Sequence, residues 1–307
     1  MQTFLCMRII VKQLGKNTMI INRVKILIIL LLSSLLFSCT SVTGTETDSR
    51  FTKEKETIYS TLKNHYVGFD TMVERGFSEE VWDSVSNYDE IKILFDKCIN
   101  DTHLYISNNN DFEYRQYQQF DEDSIRSNDP DKTFLKKTTS NTYYLRYNSC
   151  DINWKEYADL PNLADEASAY NFIVLDFRSN YGGGNNQQYQ FFNNLHQKNY
   201  KGTIYVTQDN WSYSSGEVWI MAYRFKDTLN VKLIGTHSGG MQIYGNCVEY
   251  NKNGIYFYFP STSFATWLPD NYLGEGKGYE PEIWANKDNM KGILENLGLD
   301  LSGIVFN

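Results

Sequence analysis

The stretch Phe172-Ile173-Val174-Leu175-Asp176-Phe177-Arg178, running into Ser179-Asn180-Tyr181-Gly182-Gly183-Gly184, constrains the fold more than any other part of the chain. An apolar run without alternation is the pattern of a buried strand. Three successive glycines must then turn the chain before the next helix, and they allow backbone N–H groups to approach a ligand at the strand's end, where α/β folds bind their ligands. No Gly-Lys-Ser/Thr follows, which disfavours a phosphate loop. A plain tight turn satisfies the triplet equally well.

The same pattern repeats on both sides. Short apolar, β-branched or aromatic runs bounded by turn residues occur at Tyr143 to Asn148, Thr203 to Val206, Val231 to Ile234 and Ile255 to Phe259. Helical stretches are expected between them at Trp154 to Ala169, Gln187 to His196 and Ser214 to Phe225. This alternation predicts an α/β fold. Ahead of it, helices are expected over Lys53 to Tyr66 and over Glu79 to Cys98, the latter with Ser78 as N-cap and Glu79 and Glu80 in its first turn. The segment Ser107 to Lys137 is polar and reads as loop.

The N-terminus carries a different signal. Arg23 and Lys25 precede a twelve-residue apolar run from Ile26 to Phe37. That is too short for a bilayer span, which takes about 20 residues, and fits the core of a signal peptide. The run closes on Leu36-Phe37-Ser38-Cys39, which resembles a bacterial lipobox. Its cysteine would be lipidated and become the mature N-terminus, and Phe37 is untypical at its position. The expected organisation is therefore a signal peptide over 1–38, a Ser/Thr-rich tether over 39–52, a helical region and loop over 53–137 and an α/β core over 138–307. The protein is expected to be an exported bacterial lipoprotein held to a membrane through Cys39.

Charge and cysteine content narrow the partners. The 307 residues hold 29 Lys and Arg against 37 Asp and Glu, a formal charge of −8, which repels phosphate backbones and argues against nucleic acid. Once Cys6 is removed and Cys39 acylated, Cys98, Cys150 and Cys247 remain. An odd number without CxxC spacing supports neither a disulfide framework nor a zinc site, so no metal or cofactor is expected.

Three further segments hold candidate chemistry. Ser214-Ser215-Gly216-Glu217 opens a helix after the strand at Thr203. A serine there projects its hydroxyl from a helix N-terminus, where a free N–H can stabilise an oxyanion, although it also suits an ordinary N-cap. A serine nucleophile needs a base. Among His65, His103, His196 and His237, the candidates are His103 in Asn100-Asp101-Thr102-His103-Leu104 and His237 in Gly235-Thr236-His237-Ser238-Gly239-Gly240. Glu275, in Glu275-Gly276-Lys277-Gly278-Tyr279-Glu280-Pro281-Glu282, is either a solvated loop charge or the acid that orients the histidine.

In this order the segments resemble the C-terminal processing, or tail-specific, serine peptidase family, and within it the branch of the tricorn core protease. The family's Asp-x-Arg-x-Asn-x-Gly-Gly is matched by Asp176, Arg178, Asn180, Gly182 and Gly183. Its nucleophile segment is matched by Ser214, Ser215 and Glu217, its Gly-x-x-Thr/Ser-x-Gly by Gly235, Ser238 and Gly240, and its closing motif by Glu275, Gly278, Tyr279, Pro281 and Glu282. Where members with a Ser-Lys dyad carry their lysine, this chain has Met241, and neither Lys232 nor Lys252 is placed to replace it. The resemblance therefore implies the histidine-dependent branch, with Ser214 as nucleophile, His103 as base, Glu275 as orienting acid and Thr102 beside the base. It implies an oxyanion hole from the amides of Gly183 and Ser215, a crotonase/ClpP-like core preceded by a small helical domain, and hydrolysis of exported or unstructured polypeptides. No PDZ module fits between His103 and Tyr143. The same fold appears in retinoid-binding modules related to these peptidases, and a non-catalytic lipoprotein that uses the cleft to hold a peptide or an apolar ligand is the alternative.

Overall fold

The computed structural model describes residues 47–108, 111–116 and 134–306. The chain divides into two units, Met1–Thr52 and Lys53–Asn307. The expected signal segment, Cys39 and most of the tether lie outside the described residues. Among the described residues, no helix is long and apolar enough to cross a membrane.

The centre is a six-stranded sheet. Its strands are β3 (Phe134–Thr138), β4 (Thr142–Tyr147), β5 (Phe172–Asp176), β6 (Thr203–Gln208), β7 (Asn230–Gly235) and β10 (Ile283–Trp284), neighbours in the order β10-β7-β6-β5-β4-β3. All neighbours are parallel except β3 on β4. Register aligns Leu145, Leu175, Val206 and Leu233 across four strands. These residues point into a core shared with Phe191, Phe192 and Leu195 of helix α7 (Asn186–Gln197) and Trp219 to Ala222 of helix α8 (Trp219–Tyr223). The opposite face, with Tyr144, Val174, Tyr205 and Ile234, is covered by Met290 and Leu294 of helix α9 (Met290–Asn296). Burial on both faces explains why β5 shows no alternation of apolar and polar residues. The mixed α/β architecture expected from the sequence is the one observed.

A second sheet is antiparallel and four-stranded. It joins β1 (Tyr105–Asn108) and β2 (Glu113–Arg115) to the hairpin β8 (Tyr244–Lys252) and β9 (Ile255–Ser263), in the order β2-β1-β9-β8. The hairpin turns on Asn253-Gly254, both with positive φ, the Asn-Gly pair that two-residue hairpin turns favour. Segment Ser107 to Lys137 is thus not all loop. β1 finds its partner far along the chain, with Tyr105 opposite Tyr258, so nothing local announces it.

Three expected helices are broken. Glu79 to Cys98 splits into α3 (Glu79–Asp83) and α4 (Tyr88–Cys98). The Asn87 side chain accepts from the Glu90 amide at 3.0 Å, and Glu90 Oε2 accepts from the Ser86 amide at 2.7 Å, so polar side chains restart the helix. Ser78 caps α3 as expected, accepting from Val81 at 3.2 Å. Trp154 to Ala169 becomes α5 (Lys155–Ala158), a 3-10 turn at Leu160–Leu163 and α6 (Ala164–Ala167), because Pro161 supplies no N–H and restricts the residue before it. The stretch opened by Ser214 begins as a 3-10 turn over Ser214–Gly216 before α8. Further up the chain, α1 spans Thr47–His65 and α2 spans Phe69–Glu74.

Candidate active site

The turn after β6 carries Ser214 in a left-handed conformation, φ 51°. Few non-glycine residues adopt that region, and a strained strand-to-helix turn is how a nucleophile is thrust out of the backbone around it. The turn's backbone is held from several sides. The amide of Tyr213 donates to the Asn180 carbonyl at 2.8 Å, and Gly216 leaves no room for a Cβ against that same carbonyl. Ser214 Oγ lies 3.3 Å from His103 Nε2. The sequence left the base open between two histidines, and this pairing puts His103 on Ser214. His237 instead packs its ring edge-on to Trp284, with centroids 4.9 Å apart.

Two buried carboxylates lie beside this pair. Asp101 is fully buried, and its Oδ1 accepts the backbone N–H of His103 at 2.9 Å while standing 3.5 Å from His103 Nδ1. Glu275 Oε2 accepts from the Thr102 hydroxyl at 3.1 Å, and its Oε1 accepts from the Ile243 amide at 2.6 Å and the Tyr272 hydroxyl at 3.1 Å. Burial pushes the Glu275 carboxyl up to about 8 despite the Ile243 N–H that favours its ionised form. Glu275 thus grips the residue before His103, and the carboxylate facing Nδ1 is that of Asp101. Sequence reasoning quoted Asp101 without giving it a role. Its position two residues before the histidine was the available signal.

Glu217, also fully buried, joins two of the motifs. It accepts from the Ser238 hydroxyl at 2.6 Å and from the amides of Gly240 and Met241 at 3.0 and 2.7 Å. Ser238 Oγ in turn accepts from the Tyr279 amide at 2.7 Å, tying in the closing motif. Burial raises the Glu217 carboxyl to about 7, with Ser238 and the two amides pulling the other way. Asp176, Arg178 and Asn180 act below the site. Burial alone would raise Asp176, but Arg178, at 2.7 Å, holds its carboxyl below the usual range. Asn180 Oδ1 accepts from the Gly182 amide at 2.9 Å and shapes the glycine turn.

That turn meets Ser214 closely. A Cβ on Gly182 would lie 2.8 Å from Ser214 Cβ, and one on Gly183, at φ 137°, would lie 2.4 Å from the Cys150 carbonyl carbon and oxygen. Only glycine fits either position. The peptides carrying the Gly183 and Ser215 amides are each clamped at their carbonyl end. The Cys150 amide donates to the Gly182 carbonyl at 2.8 Å, and the Ser214 carbonyl accepts from the Gln242 side-chain amide and from the Glu217 amide. Among the described residues, no backbone carbonyl accepts from the Gly183 or Ser215 amide. Gln242, to which the sequence alone assigns no role, follows Met241, the residue at the dyad-lysine position.

The pair opens onto a cleft of about 950 Å³. It is walled by the glycine turn, by α8 and the Phe264–Trp267 turn, and by the antiparallel sheet. Among the described residues no group of His, Cys, Asp and Glu is arranged to hold a metal ion.

No curated protein matches the chain. Among solved structures, a candidate peptidase from Parabacteroides merdae is 14% identical, with 83% of this chain and 96% of that chain covered and a TM-score of 0.47. A lipoprotein from Streptococcus agalactiae is 12% identical over 84% of this chain and 98% of its own, with a TM-score of 0.42. The tricorn protease is 20% identical over 49% of this chain and 16% of its own, with a TM-score of 0.32. Residues 184–284, which include Ser214, Glu217 and Glu275 but not His103, match the model of peptidase family S41.

Proposed function

We propose that the protein is a serine peptidase that hydrolyses exported or unstructured polypeptides, with Ser214 as nucleophile and His103 as general base. The observation that carries this reading is the 3.3 Å approach of His103 Nε2 to Ser214 Oγ, with Ser214 at positive φ on its turn. His103 Nε2 takes the Ser214 hydroxyl proton as Oγ attacks the peptide carbonyl carbon. The carbonyl oxygen becomes an oxyanion that accepts from the amides of Gly183 and Ser215, whose clamped peptides need no reorganisation at that moment. The imidazolium returns its proton to the leaving amine as the C–N bond breaks, leaving an ester to Ser214; a water that gives its proton to His103 Nε2 then attacks that ester, and the C–Oγ bond breaks as the proton returns to Oγ. Asp101 and Glu275 steady the imidazolium. Asp101 does so across Nδ1, and Glu275 does so by fixing Thr102 beside it.

Labelling with a serine-directed fluorophosphonate tests the reading. Wild-type protein is expected to label and to cleave unstructured peptides, and Ser214→Ala to do neither. A wild type that binds peptides without labelling or cleaving them would make the cleft a binding site. We propose in addition that the mature chain begins at a lipidated Cys39 and is membrane-anchored outside the cytoplasm. Metabolic labelling with a fatty-acid analogue should mark the wild type, and label persisting in Cys39→Ser would refute the anchor.

A further inference from the structure

Among the described residues, two arginines are the only permanently charged ones lining the cleft, in a chain whose net charge is −8. No aspartate or glutamate lines it among the described residues. The exposed positive groups come from different elements. Arg115 closes β2 and lies over the Tyr105 ring at 4.2 Å, and Arg224 follows α8 and lies over the Trp267 ring at 4.9 Å. Arg115 has Glu113 beside it at 3.5 Å. Arg224 has no carboxylate partner among the described residues, and it is carried on the segment that begins at the nucleophile.

Stacking is the informative detail. A guanidinium laid on an aromatic face is held in place by its π surface, while its N–H donors, which lie in the guanidinium plane, stay available. Such a group is restrained in advance and still able to take a carboxylate by two parallel hydrogen bonds. Trp267, 56% exposed, forms the floor of this arrangement in a cleft otherwise rich in tyrosines. A cleft whose described lining holds arginines and no acids, in a net negative protein, is complementary to an anionic chain.

We infer that Arg224 on Trp267 forms a subsite for an acidic side chain of the bound polypeptide, so that the cleft selects Asp- or Glu-bearing peptides. The inference rests on the reading of the cleft as a polypeptide site and names its substrate class. A lone terminal carboxylate is the weaker occupant, because a second arginine stands on another wall of the same cleft.

The experiment uses internally quenched peptides acetylated at the N-terminus and amidated at the C-terminus, in pairs that differ by Glu against Gln, with the variable position moved along the sequence. At one register the wild type should cleave the Glu peptide about ten times faster in kcat/KM, which equals roughly 1.4 kcal/mol. Arg224→Gln should erase the difference, Arg224→Glu should reverse it, and raising the salt concentration should shrink it. In parallel, fluorescence anisotropy of the same peptides on Ser214→Ala reports binding without chemistry. Tighter binding of Glu peptides by Ser214→Ala, lost in the double variant with Arg224→Gln, sustains the subsite even if the wild type proves unable to cleave, a result that would remove the peptidase reading alone. Equal handling of Glu and Gln at every register, a preference unchanged in Arg224→Gln, or a preference that appears only when the C-terminus is left as a free acid would each overturn the inference.

Discussion

Ser214, Gly183 and Ser215 stand on turns leaving β5 and β6, neighbouring strands of the parallel sheet whose partners follow closely in sequence. His103 and Arg115 stand at the two ends of the β1–β2 segment, which is joined to the rest of the sheet by the pairing of β1 with β9 from the far end of the chain. One wall of the site is built locally and the other by long-range pairing. On the local wall Ser214 has φ 51°, and a Cβ on Gly183 would meet Cys150 at 2.4 Å. The long-range wall supplies His103 and Arg115. The geometry of Ser214 is therefore set by its own turn, whereas that of His103 depends on how firmly the two sheets hold together.

The largest expected effect tests whether the two walls work as a unit. Ser214→Ala and His103→Ala should each lower kcat by about 10⁴ to 10⁶, and the double variant should lose little more, because nucleophile and base serve one step. Peptide cleavage by the singles and the double measures this. Losses that multiply would show that the walls act in separate steps.

Next comes the local wall alone. Gly183→Ala places a methyl group 2.4 Å from the Cys150 backbone, which has no flexible end to yield. The Gly182–Gly183 peptide must then turn away from the oxyanion position. Removing one such donor costs about 10² to 10³ in kcat. Burst kinetics with an activated ester should show slowed acylation while KM changes less. Wild-type acylation in this variant would remove Gly183 from the oxyanion hole.

The sharpest comparison uses two matched cavities. Ile106 in β1 and Ile204 in β6 are both fully buried, and each Ile→Ala should cost about 2–5 kcal/mol of stability, read from urea unfolding. If the walls differ as described, Ile106→Ala should lower kcat roughly tenfold more than Ile204→Ala at equal stability loss, because it loosens the strand that follows His103. Equal effects on kcat would mean that β1 does not position the base.

The same contrast explains what was legible in the sequence. The buried run of β5, the glycine turn, the serine turn and their order were readable because each is a local pattern with a local cause. The pairing of β1 with β9 was not, since Tyr105 to Asn108 looks like the start of a polar loop until Tyr258 and Phe257 are brought against it. His103 was named from resemblance, and from residue type alone it was one histidine among four. Asp101 and Gln242 escaped because each acts through one hydrogen-bonding geometry that leaves no periodic or compositional trace. The expected link from Glu275 to the imidazole gives way to a link through Thr102, a difference of one residue that spacing alone does not resolve.

The smallest expected effect concerns the buried acids that join the walls. Glu217 and Glu275 titrate in the folded protein at about 7 and about 8, both because burial opposes their charge. In the unfolded chain a glutamate titrates near 4.3. Between these values the native state holds protons that the unfolded state has released, so stability must fall as pH rises through that window and is greatest at its acid end. The slope is about 1.4 kcal/mol per pH unit for each proton retained. Urea midpoints should therefore drop from pH 5.5 to pH 8.5. This window avoids Asp176, whose depressed carboxyl contributes stability that is lost only on stronger acidification. Glu275→Gln separates the two acids. Its carbonyl oxygen still accepts from Ile243 and Tyr272, and the Thr102 hydroxyl, which donates to Glu275 in the wild type, turns to accept from the new amide. The variant should fold and show a shallower decline with pH, the remainder belonging to Glu217. An undiminished slope in Glu275→Gln would mean that Glu275 is ionised throughout the range, and the long-range wall would then carry a permanent negative charge beside its base.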